Sequence, residues 1–216
     1  MVYSTPESMN QYSRHFQSSD GVTYHHAVYD LEHQNQVDDL IEHATSQYEK
    51  LDGLIYLAAT GGTRTSLLKL TNDQIRKIFD VNVVAALILL KGLAKTLSAA
   101  HGNAVFVGSQ AAVTGGRLIS TYASSKAALH QMVASVAREL ASINIRVNCV
   151  SPGIIDTPKM RRSNKISNEL ELNALAESIP SGRVGKPEEV AAAILWLLSN
   201  EASYVSGIVL PVSGAR

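Results

Sequence analysis

"NAVFVGSQAAVTGGRLISTYASSKAALHQMVASVARELASINIRVNCVSPG", residues 103–153, decides the fold. Residues 103–109 read as a short buried strand. Residues 120–142 read as a helix, with Ala127, Ala128 and Leu129 leading into "HQMVASVAREL". Residues 144–151 read as a second strand, ended by Pro152-Gly153. The same alternation runs outward in both directions. "GVTYHHAVYD" (21–30) is β-branched and aromatic, and "VDDLIEHATSQYEKL" (37–51) places apolar residues at helical spacing. "GLIYLAA" (53–59) is a strand followed by Gly61-Gly62, and residues 71–100 are helical, opened by the capping signature "TNDQ". Towards the C-terminus, residues 158–180 are polar and irregular or helical. "KPEEVAAAILWLLSN" (186–200) starts a helix with Pro near its first position and acids in its first turn, and "GIVLPVS" (207–213) is the last strand. Strands that are apolar along their length and flanked by helices belong to a parallel sheet covered on both faces. The expected fold is therefore α/β, a three-layer sandwich with a doubly wound, mostly parallel sheet, in one domain spanning 1–216.

The bulk numbers narrow the function. The chain has 216 residues, with 19 Lys plus Arg against 19 Asp plus Glu. A formal net charge of zero gives no electrostatic case for nucleic acid or an anionic membrane. The single cysteine, Cys149, lies in an apolar run and reads as a buried structural thiol. "MVYSTPESMN" has no basic segment followed by an apolar one, so no secretory signal is read. The longest apolar runs fall short of the ~20 residues of a membrane span. The chain reads as soluble and cytoplasmic.

Ligands of such sheets bind beyond the carboxyl ends of the strands. Those ends are Ala58–Gly62, Ser109–Gly116 and Ser151–Thr157. Ser109 ends one strand, Tyr122 opens the next helix, and Lys126 follows it by four residues, on the same helix face. A free tyrosine has a pKa of about 10 and is a poor acid or base at pH 7. A nearby ammonium stabilises the phenolate and lowers that value. With Ser109 holding a carbonyl or alcohol oxygen beside the phenol, this is equipment for moving a proton on an oxygen while hydride moves on its carbon. The protein has no hydride carrier of its own, so a nicotinamide is required. Taken one at a time, a Tyr and Lys four apart also suit a solvated helix, and a Ser after a strand also suits a turn.

The ensemble resembles the short-chain dehydrogenase/reductase family, most closely its β-ketoacyl reductase-like branch. "YASSK" is similar to the family's Tyr-x-x-x-Lys, and Ser109, thirteen residues before Tyr122, to the family serine. "FDVNVVAAL" resembles the segment with the structural asparagine, here Asn82. "VNCVSPGIIDTP" resembles the Pro-Gly stretch lying against the nicotinamide, and "GRVGKPEEVAAAILWLLSNEASYVSGIVLPVSG" the C-terminal helix and last strand. The resemblance is clearest from about residue 21 to the end. It implies a Rossmann-like fold and an NAD(P)-dependent oxidoreductase that interconverts a carbonyl and an alcohol. Tyr122 would be the proton donor or acceptor. Lys126 would lower its pKa and bond the nicotinamide ribose, Ser109 would orient the substrate oxygen, and Asn82 would hold a water joining Lys126 to a proton relay. Ala58, Ala59, Pro152, Gly153, Ile155 and Thr157 would line the cofactor cleft with Tyr122 and Lys126. Asp30 matches the acid that hydrogen-bonds adenine, and a cap for the next helix is its other reading. Asn82 also reads as a helix-bending polar residue, and Pro152-Gly153 as a strand-ending turn.

Two departures stand out. The family opens on a strand, a glycine-rich turn and a helix, where backbone N–H groups and the helix terminus receive the pyrophosphate. No such motif occurs here. "VYSTPESMNQYSRHF" resembles the family's second strand and the helix after it, so the domain reads as N-terminally truncated by about 30 residues. Where the family has Asn-Asn-Ala-Gly, this chain has "YLAA" at 56–59, so Tyr56 and Leu57 replace bracing amides. Two readings follow: an enzyme whose start is displaced or cropped, or a natural short form, catalytically impaired, that serves as a scaffold or partner subunit. If the first strand is absent the sheet must close its gap, because unpaired backbone groups cannot be left empty. Either residues 21–28 move beside 53–59, or the residues before them lie loosely.

The remaining features are weaker. Ser4 and Thr5 stand where an acid would favour NAD, so hydroxyls there favour NADP. His25, His26, His33 and His43 form no ligand set, since adjacent strand residues face opposite ways and no acid or Cys completes the site. "PKMRRSNK" (158–165) is basic and falls at the family's mobile lid; it would suit an acidic carrier or a carboxylate, or be a solvated surface. "SQAAVTGGRL" (109–118) should edge the substrate pocket, and Ala111 with Val113 suggests an apolar substrate portion. The substrate is a small-molecule carbonyl or alcohol. A homodimer or homotetramer is expected through the helices within 71–100 and 120–142, and through "VAAAILWLL" with the last strand.

Overall fold

The computed structural model describes residues 2–3, 23–61 and 64–216. In chain order the elements are β1 (Val2–Tyr3), β2 (Ala27–Val28), α1 (Gln34–Gln47), β3 (Gly53–Tyr56), α2 (Asn72–Phe79), a π-helical turn (Asp80–Val84), α3 (Ala85–Ser98), β4 (Asn103–Val107), α4 (Ala111–Thr114), α5 (Ser120–Leu140), β5 (Arg146–Pro152), α6 (Pro158–Asn164), α7 (Glu169–Ala176), α8 (Pro187–Leu198) and β6 (Val209–Val212). The strand order β3-β4-β5-β6 is parallel throughout, with Tyr56 opposite Phe106, Phe106 opposite Cys149 and Cys149 opposite Val209.

Side chains alternate across a strand, so each strand must satisfy two faces. Ala104 and Phe106 of β4 join Val147 and Cys149 of β5 in a cluster with Leu89, Leu90 and Leu93 of α3 and Leu129 and Val133 of α5. Val105 and Val150 point the other way and meet Val190, Ile194 and Leu197 of α8. Both faces are covered by helices, which is why these strands read as continuous apolar runs.

Local chemistry starts the helices where expected. The Thr71 hydroxyl accepts the Gln74 N–H at 3.2 Å and the Gln74 side chain accepts the Thr71 N–H at 3.1 Å, a reciprocal cap for α2. Pro187 opens α8, with Glu188 and Glu189 in its first turn. The helical stretch expected at 71–100 is not uniform. The π turn interrupts it and carries Asn82, whose side chain is fully buried.

The N-terminal part departs from expectation. Of the strand read at 21–30, the described residues form strand only at Ala27–Val28. It pairs in parallel with β1, Val2 opposite Ala27 and Tyr3 opposite Val28, as a two-stranded sheet separate from β3–β6. Of the two expected alternatives, the one that puts residues 21–28 beside 53–59 is corrected: among the described residues, β3 is hydrogen-bonded to β4 and not to β2. Helix packing takes the place of a ladder. Leu31 and Val37 are buried in the main core with Tyr29, Leu40 and Ile41 beside them. α1 lies so close on α3 that a Cβ at Gly92 would fall 2.5 Å from the Ile41 Cδ1. Residues 4–22, which include Ser4 and Thr5, and Gly62 lie outside the described residues.

Candidate active site

Ser109 lies just past β4, and its neighbours keep the ladder going: Gly108 N–H bonds the Val150 carbonyl at 2.8 Å and Gln110 N–H bonds that of Pro152 at 2.9 Å. This rigid footing fixes the Ser109 side chain at the carboxyl edge of the sheet. Its Oγ accepts the Ala111 N–H at 3.1 Å and is hydrogen-bonded to the phenol of Tyr122, in the first turn of α5. Across the cleft, a Cβ at Gly61 would lie 3.8 Å from the Tyr122 Cδ2, so the loop after β3 runs against the ring. Burial raises the Tyr122 pKa, and the bond from Ser109 opposes that rise.

Lys126 follows one turn later and is only 1 % exposed. Its Nζ donates to the Val107 carbonyl at 2.7 Å. Burial draws its pKa down to about 8; Cys149 nearby acts upward and the Lys159 ammonium acts downward. The lysine is thus held by the backbone of β4, and the serine acts to lower the phenol.

Asn82 is spent entirely on bracing the site. Its Oδ1 accepts the Thr60 N–H at 2.9 Å, and its Nδ2 donates to the Thr60 carbonyl and to the Ser125 Oγ, each at 2.9 Å. Ser125 in turn donates to the Tyr122 carbonyl at 2.8 Å. One buried amide thus holds the loop after β3 to the second turn of α5. Both side-chain donors are used, so a water in a proton relay would have to meet another atom of this residue. Ala58 packs on the main core, and the Ala59 carbonyl accepts the Lys159 Nζ at 3.3 Å. Tyr56, which stands where an amide was expected, braces differently: its phenol donates to the Val81 carbonyl in the π turn, and its ring lies 5.9 Å from that of Phe106. Leu57 points outward and is exposed.

The stretch after β5 forms the third wall. Gly153 N–H bonds the Val212 carbonyl at 3.0 Å, and a Cβ there would meet the Ser213 Cα at 2.8 Å, so glycine is what lets the turn approach β6. Ile155 forms a parallel bridge with Gly185. Thr157 caps α6 by accepting the Met160 N–H at 3.1 Å. The basic segment 158–165 is mostly α6. Arg161 is tied to Asp156 at 2.6 Å and to Glu169 at 3.0 Å. Lys159 reaches Ala59, and Arg64 donates to the Asn164 Oδ1 at 3.2 Å, so α6 spans the cleft from the β5 side to the β3 side.

Asp30 sits apart from this cluster of contacts. Its Oδ1 accepts the Glu32 N–H at 3.0 Å, its N–H donates to the Gln36 Oε1 at 2.7 Å, and its other oxygen lies 3.9 Å from His33. These contacts shape the turn before α1. Ser125, His130 and Lys159 were not singled out from sequence. Ser125 lay inside the quoted "YASSK", and His130 lies eight residues after Tyr122, on the same helix face.

The donor set suits a dinucleotide at this edge. Lys126 and Lys159 repel each other across the cleft, and burial disfavours both charges. An anionic or hydroxyl-rich ligand between them would relieve that repulsion. No helix among the described residues is long and apolar enough to cross a membrane.

The chain matches a family model described as enoyl-(acyl carrier protein) reductase over residues 2–214. It is 34% identical over 196 residues to the 3-oxoacyl-[acyl-carrier-protein] reductase FabG of Thermotoga maritima, covering 87% of this chain and 74% of that protein. It is 34% identical over 181 residues to the 3alpha-hydroxysteroid dehydrogenase of Mediterraneibacter gnavus, covering 83% and 70%. Among solved structures it superposes on L-sorbose reductase from Gluconobacter frateurii, complexed with NADPH and L-sorbose, with a TM-score of 0.90 and 27% identity, covering 99% of this chain and 84% of that one.

Proposed function

Because the chain belongs to the short-chain dehydrogenase/reductase family, we propose that it interconverts a carbonyl and an alcohol on a small molecule, with NADP as the hydride carrier and Tyr122 as acid and base. The observation that carries this is the meeting of Tyr122, Ser109 and Lys126 at the carboxyl edge of the sheet. The sorbose reductase that superposes on the chain was crystallised with NADPH, which supports NADP over NAD. The names of the relatives span acyl-carrier-protein ketones, a steroid alcohol and a ketose, so the proposal stops at the functional group.

When bound, the nicotinamide supplies or accepts hydride at the substrate carbon. In reduction, Tyr122 gives its phenol proton to the carbonyl oxygen as charge builds there, and takes it back from the alcohol in oxidation. Ser109 turns its hydroxyl proton to the same oxygen, helped by the Ala111 N–H that holds its Oγ in place. Lys126 keeps most of its charge at neutral pH with a pKa of about 8, and on leaving Val107 it would meet the ribose hydroxyls and the phenolate. Lys159, Ile155, Thr157, Gly153 and Pro152 line the opposite wall, and Ala58 and Ala59 the near one. Asn82 holds the near wall in register with Tyr122.

A homodimer or homotetramer is part of the proposal. Val84 and Leu87 on the π turn and α3, and Leu195 and Trp196 on α8, leave apolar side chains exposed on helices whose other faces already fill the core.

The test is titration of NADPH and NADH against the chain by fluorescence or calorimetry, followed by turnover with a panel of ketones. Micromolar binding with NADPH-dependent reduction, abolished in Tyr122→Phe, supports the reading. A folded oligomer that binds neither nucleotide overturns it.

A further inference from the structure

Among the described residues, no strand pairs with the open side of β4 beyond the end of β3. β3 pairs as far as Tyr56 opposite Phe106. The backbone groups of β4 and the turn after it that point to that side past this level are the Val107 carbonyl and the Ser109 N–H, since the Gly108 and Gln110 N–H groups bond β5 instead. Two side chains of α5 take the place of the absent ladder. Lys126 donates to the Val107 carbonyl at 2.7 Å, and His130, one turn on, accepts the Ser109 N–H at its Nε2 at 3.4 Å. The turn is shaped for this imidazole: a Cβ at Gly108 would lie 2.2 Å from the His130 Nε2 and 2.8 Å from the Cys149 Sγ.

We propose that His130 is a positioning residue, and that its neutral imidazole, accepting the Ser109 N–H, holds the serine in register with Tyr122 and sets the acidic limit of activity. The proposal rests on the reading of Ser109 and Tyr122 as the proton-handling pair. The bond fixes the tautomer, with the ring proton on Nδ1 and the lone pair on Nε2. Protonation converts the acceptor into a donor aimed at another donor. The Ser109 peptide then loses its partner, and a second cation stands one turn from Lys126. The titratable groups facing the ring are Lys126 on its own helix and Cys149 on β5. The lysine disfavours a charged imidazole, and burial acts in the same direction. Cys149 is pushed up to about 12 by burial and contributes no compensating negative charge.

The first experiment uses the full chain without nucleotide or substrate. Long-range proton–nitrogen NMR of the histidine rings should show His130 as the Nδ1–H tautomer, titrating below the ordinary histidine value. An Nε2–H tautomer at neutral pH, or an ordinary titration, overturns the proposal whether or not the chain turns over substrate. The second compares variants in the reductase assay. His130→Leu should lower kcat roughly fivefold to tenfold, the equivalent of one neutral hydrogen bond, with KM little changed, and should erase the acid inflection of the kcat profile. His130→Gln, whose amide oxygen can accept the same N–H but does not titrate, should restore most of kcat while leaving the profile flat on its acid side. An acid inflection that survives in both variants overturns the proposal. Should neither variant fold, the tautomer and titration of the unaltered chain still decide it.

Discussion

Asn82 donates its Nδ2 to the Ser125 Oγ at 2.9 Å, tying the π turn to the second turn of α5. The same amide closes two bonds with Thr60, so two distant chain segments are held by one buried side chain. Asn82→Ala removes all of these at once and leaves the Thr60 N–H and carbonyl without their partner. Each orphaned group costs about 1–3 kcal/mol, so a loss of roughly 3 kcal/mol or more is expected in urea unfolding with an unchanged m-value. Asn82→Asp keeps one acceptor but replaces both donors with a buried negative charge, and should be no more stable than the alanine variant. A change below about 1 kcal/mol in either would remove the clamp from the account.

Tyr122→Phe removes one oxygen from a ring that is otherwise held by packing. Reduction should fall by at least about a hundredfold, the usual scale of a general acid, while nucleotide affinity changes little. Because burial raises the phenol and Ser109 lowers it, Ser109→Ala should move the rising, acid-side limb of the oxidation profile to higher pH. A limb that stays in place would mean that another group sets the phenol's acidity.

Much of this was legible in the sequence, and the reason is periodicity. The runs at 103–109 and 144–151 are apolar on both faces because α3, α5 and α8 cover both faces. The spacing of Tyr122 and Lys126 placed both on one side of α5. What stayed hidden depends on three-dimensional proximity between distant segments. Nothing in "FDVNVVAAL" reports that Asn82 bonds Thr60 and Ser125, or that the helix takes a π turn there. Lys126 lies at the right spacing from Tyr122, yet its ammonium goes to Val107, because a buried strand end with an open carbonyl competes for it. Of the strand expected at 21–30, the described residues form only Ala27–Val28, and the packing of α1 on α3, which holds this part of the chain, is a contact between distant segments that the pattern does not report.

Tyr56 is a change from an amide to a phenol that carries its own compensation. Its hydroxyl donates to the Val81 carbonyl inside the π turn, and burial raises its pKa so that it stays a donor throughout the working pH range. Tyr56→Phe keeps the ring against Phe106 and removes this one bond to the turn. The expected cost is about 0.5–1.5 kcal/mol, with faster amide exchange in the turn at 80–84 than in α3. Equal protection of both segments in the variant would show that the turn does not depend on the phenol.

Lys126 and Cys149 give opposite pH dependences to stability. Lys126 sits near 8 in the folded chain and at 10.5 when free. Between those values the unfolded chain binds the proton more tightly, so stability rises with pH across the window and the contribution is lost as pH falls through 8. Cys149 sits near 12 when folded and at 9.0 when free. The folded chain holds its proton more tightly, so above pH 9 stability falls as pH rises. Lys126→Met removes the first dependence and also leaves the Val107 carbonyl unpaired, so its offset at pH 7 is a mixture of two costs and only the slope is diagnostic. Relative to the methionine variant, the unaltered chain should gain stability from pH 8 to 10.5. Relative to Cys149→Ala it should lose stability above pH 9. Chemical unfolding at half-unit intervals from pH 7 to 10.5 reads both. A flat difference for the lysine variant would mean that its ammonium is solvated and not buried under β4. A departure of the double variant from the sum of the single ones would measure the attraction between the ammonium and the thiolate.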